Sequence, residues 1–147
     1  MTDLYDSFEQ ARLPVERLYE LGNELVGVEL DSERGREIES EVRALFAEDL
    51  EHVTRDGVVR GPDRFLSDYR VQLSRFEISF AIDVREGVDS VVVLITARRQ
   101  MRDSPSDYLM VDSGAIFRIR DGRIVFMEGY PDGREALRAA GLEPRRT

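Results

Sequence analysis

The chain has 147 residues, 41% hydrophobic and 35% charged, enough to bury a core of its own and to be globular. With 30 acidic against 21 basic side chains it carries a net charge of −9 and a pI near 4.7. That balance argues against nucleic acid, whose binding draws its energy from a basic face. Cysteine is absent and His52 is the single histidine, which excludes disulfides, thiolate chemistry and a multi-histidine metal site.

Residues 1–6 lack the basic start and apolar run of a signal peptide. The longest apolar run, Val91–Ile95, is far too short to span a bilayer, so a cytoplasmic protein is expected. Leu4–Ala11 carries no signal that decides between joining a first helix and fraying. Leu13, Leu18, Leu21, Leu25 and Val26 recur at helical spacing with Tyr19 beside them, and Pro14 suits a helix's first turn. Gly27 lets the chain turn. Asp31 or Ser32 can cap a second helix whose apolar stripe is Ile38, Val42, Leu45 and Phe46.

Asp49–Thr54 alternates as a short strand, Arg55-Asp56-Gly57 turns it, and Val58–Arg60 can pair back. Pro62-Asp63 opens a third helix with Phe65, Leu66, Tyr69 and Leu73 on its apolar face. Three long strands follow: Phe76–Val84, Val91–Met101 after a turn-rich connection at Arg85–Ser90, and Tyr108–Arg120 after a polar loop at 103–107. An Asp121-Gly122 pair flanked by apolar alternation then predicts a type I′ hairpin into a last strand, Arg123–Tyr130, because both central positions need φ > 0. A short helix, Arg134–Ala140, is stopped by Gly141. Helices gathered early and hairpins late predict an α+β layout, a curved sheet wrapped around helices. A single domain over 1–147 is expected, with residues 1–12 as a frayed or extra helical start and 143–147 as a tail.

One block carries a family likeness: Phe117–Val125, then Glu128, Tyr130 and Asp132, then Glu135–Leu142 (EALRAAGL). Asp49-Leu50-Glu51-His52 followed by Gly61 and a helix adds weaker support. Together they resemble the SnoaL-like branch of the nuclear transport factor 2-like superfamily, the polyketide cyclase and ketosteroid isomerase type of fold. The resemblance implies a cone-shaped α+β barrel, its curved, largely antiparallel mixed sheet wrapped around three helices from the N-terminal half. It also implies a pocket between sheet and helices, and frequently a homodimer through the outer sheet face. Members include cyclases, isomerases, epoxide hydrolases, dehydratases and non-catalytic proteins, so the fold does not settle the activity.

His52 is the only side chain whose ordinary pKa lies near neutrality. By the resemblance it occupies the position of the general-base carboxylate of ketosteroid isomerases, a position that is often Trp, and then pocket wall, in SnoaL-like proteins. The position of the isomerases' oxyanion-stabilising acid falls at Ala115, which makes steroid isomerisation unfavourable; Ser113 or Asp112 would substitute if the register slipped. Alternation of Tyr108–Phe117 puts Leu109, Val111, Ser113, Ala115 and Phe117 inside and Asp112 outside. On the last strand, Val125, Met127 and Gly129 alternate with Ile124, Phe126, Glu128 and Tyr130; Glu128 and Tyr130 are candidates for an acid and a hydroxyl donor, or for an ion pair and a packed aromatic. Arg98 and Arg99 share opposite faces of an apolar strand, with cross-strand pairs to Glu77 or Asp83 expected. Tyr19, Phe65 and Tyr69, with Phe76 and Phe80, are candidates for an aromatic lining or plain core.

The expectation is a SnoaL-like protein binding a small apolar or polycyclic molecule, homodimeric through its sheet face. Any catalysis would be cofactor-free acid/base work by His52 with Glu128 and Tyr130, in a pocket lined by Tyr19, Phe65, Tyr69, Ser113, Ala115 and Phe117. The alternative is a non-catalytic dimeric ligand-binding or interaction module whose pocket its own side chains fill.

Overall fold

The computed structural model describes residues 4–104 and 106–142; Pro105, in the expected polar loop, and the expected 143–147 tail lie outside the described residues. Helix α1 runs Phe8–Glu24, earlier than expected, with Pro14 well inside it and not in its first turn. A mid-helix proline removes one hydrogen bond and crowds the carbonyl of Gln10. Packing overrides that cost, because Ala11, Pro14, Val15, Leu18 and Leu21 are all buried along one stripe. Leu13 and Val26, placed with the apolar set by spacing alone, are 60% and 42% exposed: Leu13 points off the stripe, and Val26 lies past the C-cap, Leu25.

Ser32 caps α2 (Glu33–Ala44), its hydroxyl accepting from the Gly35 amide at 3.0 Å. Phe46, expected on that helix, opens strand β1 (Phe46–Thr54) instead. Leu45 is already the C-cap, and its carbonyl accepts from the Ile124 amide at 2.8 Å, drawing the chain to the sheet. β2 (Gly57–Arg60) pairs back antiparallel on β1, and α3 spans Asp63–Arg75. β3 (Phe76–Gly87) and β4 (Ser90–Met101) are paired throughout, down to Gly87 opposite Ser90. Only Val88-Asp89 is left to turn, so the connection is shorter than the composition of 85–90 suggests.

β5 (Tyr108–Arg120) and β6 (Arg123–Tyr130) form the expected hairpin, with Asp121 at φ 52° and Gly122 at φ 77°. Asp6 clasps it: its carboxylate accepts from the amides of Asp121 and Gly122 at 2.9 and 2.8 Å, and its own amide donates to the Ile119 carbonyl. The sheet order is β2-β1-β6-β5-β4-β3, antiparallel except for the β1–β6 pair. Simple alternation fails on β6. Ile119 faces Ile124 while Arg118 faces Phe126, so Val125 is an extra residue, a bulge. Ile124 therefore joins Met127 in the main core, while Phe126 points to the other face.

That main core lies between α1–α3 and the sheet's inner face; Leu50, Val91, Val93, Phe117 and Ile119 are almost wholly buried there. A smaller one lies outside, where Val92 and Ile116 meet Ala136 and Leu137 of α4 (Gly133–Ala139). The outer apolar face of β6 is thus covered in part by the chain's own last helix. α4 begins with Asp132 accepting from the Glu135 amide and ends in a Schellman closure, Leu142 N–H to Leu137 O and Gly141 N–H to Arg138 O.

Candidate functional site

Between α1, α3 and the inner face of the sheet lies a cavity of about 730 Å³, within the ~300–1,000 Å³ typical of ligand sites. Tyr19 enters from α1. Phe65, Tyr69 and Gln72 project from one face of α3, at steps of four and three residues, and His52 comes from β1. Val111, Ser113, Ala115 and Phe117 of β5 alternate into it, and exposed Arg55, Gln72, Gly129 and Pro131 rim its mouth.

The aromatic rings pack against one another. The His52 ring stands edge-on to Phe65 at 6.0 Å, and Phe65 stacks on Tyr69, also at 6.0 Å. Tyr19 meets Phe80 and Phe117 edge-on at 5.4 and 6.3 Å. Close approach of α1 to β3 makes this possible. A Cβ added at Gly22 would stand 2.8 Å from the Phe80 ring and 3.1 Å from the Tyr69 hydroxyl.

His52 is half-buried, and its Nδ1 is buried without a hydrogen-bond partner among the described residues. Burial lowers its pKa below the usual 6.5; Asp68 opposes this and Arg64 adds to it. Asp68 is itself engaged by Arg64 at 3.2 Å. The imidazole is therefore neutral at physiological pH. The Tyr69 hydroxyl is likewise buried and unpartnered, and burial pushes its pKa up to about 12. Burial, with Tyr69 nearby, also raises Tyr19 far above the ordinary phenol value. Leaving a buried polar atom unpaired costs about 1–3 kcal/mol, so two in one site call for a reason.

The other expected site residues divide. Tyr19, Phe65, Tyr69, Ser113, Ala115 and Phe117 all line the cavity with His52. Tyr130 reaches its edge and donates to Glu128 Oε1 at 2.8 Å; burial, then that bond, push it up to about 12. Glu128 does not line the cavity, since it lies opposite Ile116 on the outer side of the hairpin. Asp112 is exposed and accepts from the Thr96 hydroxyl at 3.0 Å. Neither Arg98 nor Arg99 pairs with Glu77 or Asp83. Arg98 lies over the Tyr108 ring, Arg102 reaches Glu77 at 3.8 Å, and Arg85 takes Asp83. Phe76 lies under the Arg99 guanidinium and does not line the cavity. Gln72 and Ile95 line it without having been anticipated. Gln72 was detectable in principle, seven residues after Phe65 on the same helix face. No group of three or more metal-ligating side chains occurs among the described residues.

No family model and no curated protein matches the sequence. Solved structures do. A nuclear transport factor 2-like protein of unknown function from Exiguobacterium sp. 255-15 superposes with a TM-score of 0.65 at 17% identity, over 81% of this chain and 98% of that one. A candidate SnoaL-like polyketide cyclase from Jannaschia sp. CCS1 gives 0.65 at 18% identity, over 99% and 100%. An LEH-like epoxide hydrolase of M. tuberculosis gives 0.60 at 18%, over 90% and 89%. At these identities the likeness is one of fold: the chain has the nuclear transport factor 2-like fold, an α+β architecture with an open, curved mixed sheet. No described helix is long and apolar enough to cross a membrane.

Proposed function

Starting from the nuclear transport factor 2-like fold, we propose that this chain is a cytoplasmic pocket protein that binds a small, mainly apolar molecule and moves a proton on it without a cofactor. The carrying observation is one cavity lined both by a neutral, desolvated imidazole and by unionised phenols. His52 is the general base. Because Nδ1 is shielded, Nε2 is the nitrogen left to meet a ligand. A base with a lowered pKa is free of its proton at pH 7, and a neutral phenol can donate a hydrogen bond to a developing oxyanion. Tyr19 takes that donor role, with the unpartnered Tyr69 hydroxyl as a second donor, and Phe65, Ser113, Ala115 and Phe117 shape the rest of the wall. Tyr130 orients the ligand at the mouth, with Glu128 acting on it from outside through their hydrogen bond.

Cyclase, isomerase and hydrolase chemistry all use such a pair. The reading is supported over a filled, non-catalytic module by a cavity of about 730 Å³ and by a His52 ring Nδ1 that has no hydrogen-bond partner among the described residues. It is tested by adding a neutral apolar probe, 2-naphthamide, and following the ring signals of the sole histidine by NMR. Shifts that saturate support it; silence from every probe of this class removes it.

The same reading includes a homodimer through the outer sheet face, supported by Tyr108 and Met110, 58% and 53% exposed on the outward side of β5. Leu109, expected inside, is exposed as well, because it lies beyond the cavity at the strand's open end.

A further inference from the structure

In a chain with 30 acidic residues, the cavity wall contains no Asp or Glu among the described residues, and its arginines are Arg55 and Arg99. Nine described arginines, among them Arg12, Arg17, Arg34, Arg64, Arg70 and Arg85, hold a carboxylate, and none of those nine lines the cavity. Arg99 does line it. Following Ile95 and Ala97 on the inward side of β4, its guanidinium lies 5.5 Å over the Phe76 ring and donates to the Gln72 side-chain oxygen at 3.4 Å. Ion pairing with a carboxylate is absent for Arg99 among the described residues. Gln72, with its oxygen turned to Arg99, keeps its amide N–H groups as donors at the same rim.

We infer that the ligand of this cavity is an apolar carboxylic acid, bound as its anion, with the carboxylate held by Arg99 and Gln72 and the apolar body against the aromatic wall. The inference rests on the pocket reading above and narrows it to a substrate class. A planar guanidinium presents paired donors that match a carboxylate, and a partly desolvated wall strengthens that contact relative to water. The apolar side of the site (Ile78, Phe80, Ile95, Ala97) supplies the remaining affinity without charge. Arg55, exposed at the β1–β2 turn, adds positive potential at the mouth of an otherwise acidic protein.

The test compares two probes of the same shape, 2-naphthoate and neutral 2-naphthamide, by titration of the intact protein with the His52 NMR signals as readout. The wild type is expected to prefer the anion by about tenfold, the size of one charge-assisted contact, with the preference shrinking as salt rises. Arg99→Gln is expected to erase the preference while 2-naphthamide still binds, which also shows that the variant is folded. Arg99→Lys, keeping the charge and losing the fork, is expected to retain part of it. Equal binding of both probes by the wild type overturns the inference and leaves the pocket reading standing. An anion preference untouched in both variants overturns the assignment to Arg99. Silence from both probes overturns inference and pocket reading together.

Discussion

His52 combines three properties: it is the sole histidine, it lines a cavity, and its pKa is lowered first by burial, with Arg64 adding to the shift. A consequence for stability follows from that direction. Above about pH 6.5 the ring is neutral both folded and unfolded and contributes no pH dependence. As pH falls from there toward the lower folded value, the unfolded chain takes up the proton first and the folded state loses ground. His52→Gln should remove that slope. Urea midpoints at pH 8 and pH 5 are expected to move against the wild type at the acid end relative to the variant; parallel profiles would count against a desolvated imidazole. The sequence offered His52 as a candidate because of its chemistry alone. The unpartnered Nδ1 and the Phe65 contact were not readable, since both depend on where α3 settles.

At the scale of elements, one polar side chain ties α1 to the sheet edge. Asn23 pairs with the backbone of Phe80 in both directions, Nδ2 to O at 3.0 Å and Oδ1 from N at 2.7 Å, as a neighbouring strand would. Because Tyr19 and Gly22 sit on the turn just before it, this clamp also sets the cavity wall. Asn23→Ala should cost about 1 kcal/mol, the net worth of exposed hydrogen bonds that water partly replaces, measured as a lower urea midpoint with an unchanged slope. An unchanged midpoint would show that core packing alone holds α1. Elements whose signals are local were legible: the Asp121-Gly122 hairpin, the Ser32 cap (one of two candidates) and the Gly141 stop all depend on residues within a few positions. Those set by distant partners were not. The Val125 bulge reverses the face of Ile124, and burial of Ala11 and Pro14 carries α1 through a proline that local rules place at a helix start. Asn23 has no sequence signature, since its partner lies 57 residues away.

For the whole molecule, the order of elements and the inward face of β5 followed from periodicity, because alternation there runs unbroken from Val111 to Phe117. The existence of an open cavity did not, because the gap between α1, α3 and the sheet is a volume left over after all three have packed. Assembly belongs to this scale too. Sedimentation equilibrium should give twice the chain's 16.9 kDa, and Met110→Glu should shift the protein toward that single-chain mass, since a carboxylate at the centre of an apolar contact is costly. A wild type sedimenting as one chain at all concentrations would rule the outer-face dimer out.

The central claim is a neutral base poised in a ligand cavity, and its most direct test is an NMR pH titration of the His52 ring with and without 2-naphthamide. The account predicts a midpoint below 6.5 in the free protein and ring signals that move, with an altered midpoint, when the probe saturates the site. A midpoint at the ordinary value that ignores every apolar probe would contradict it.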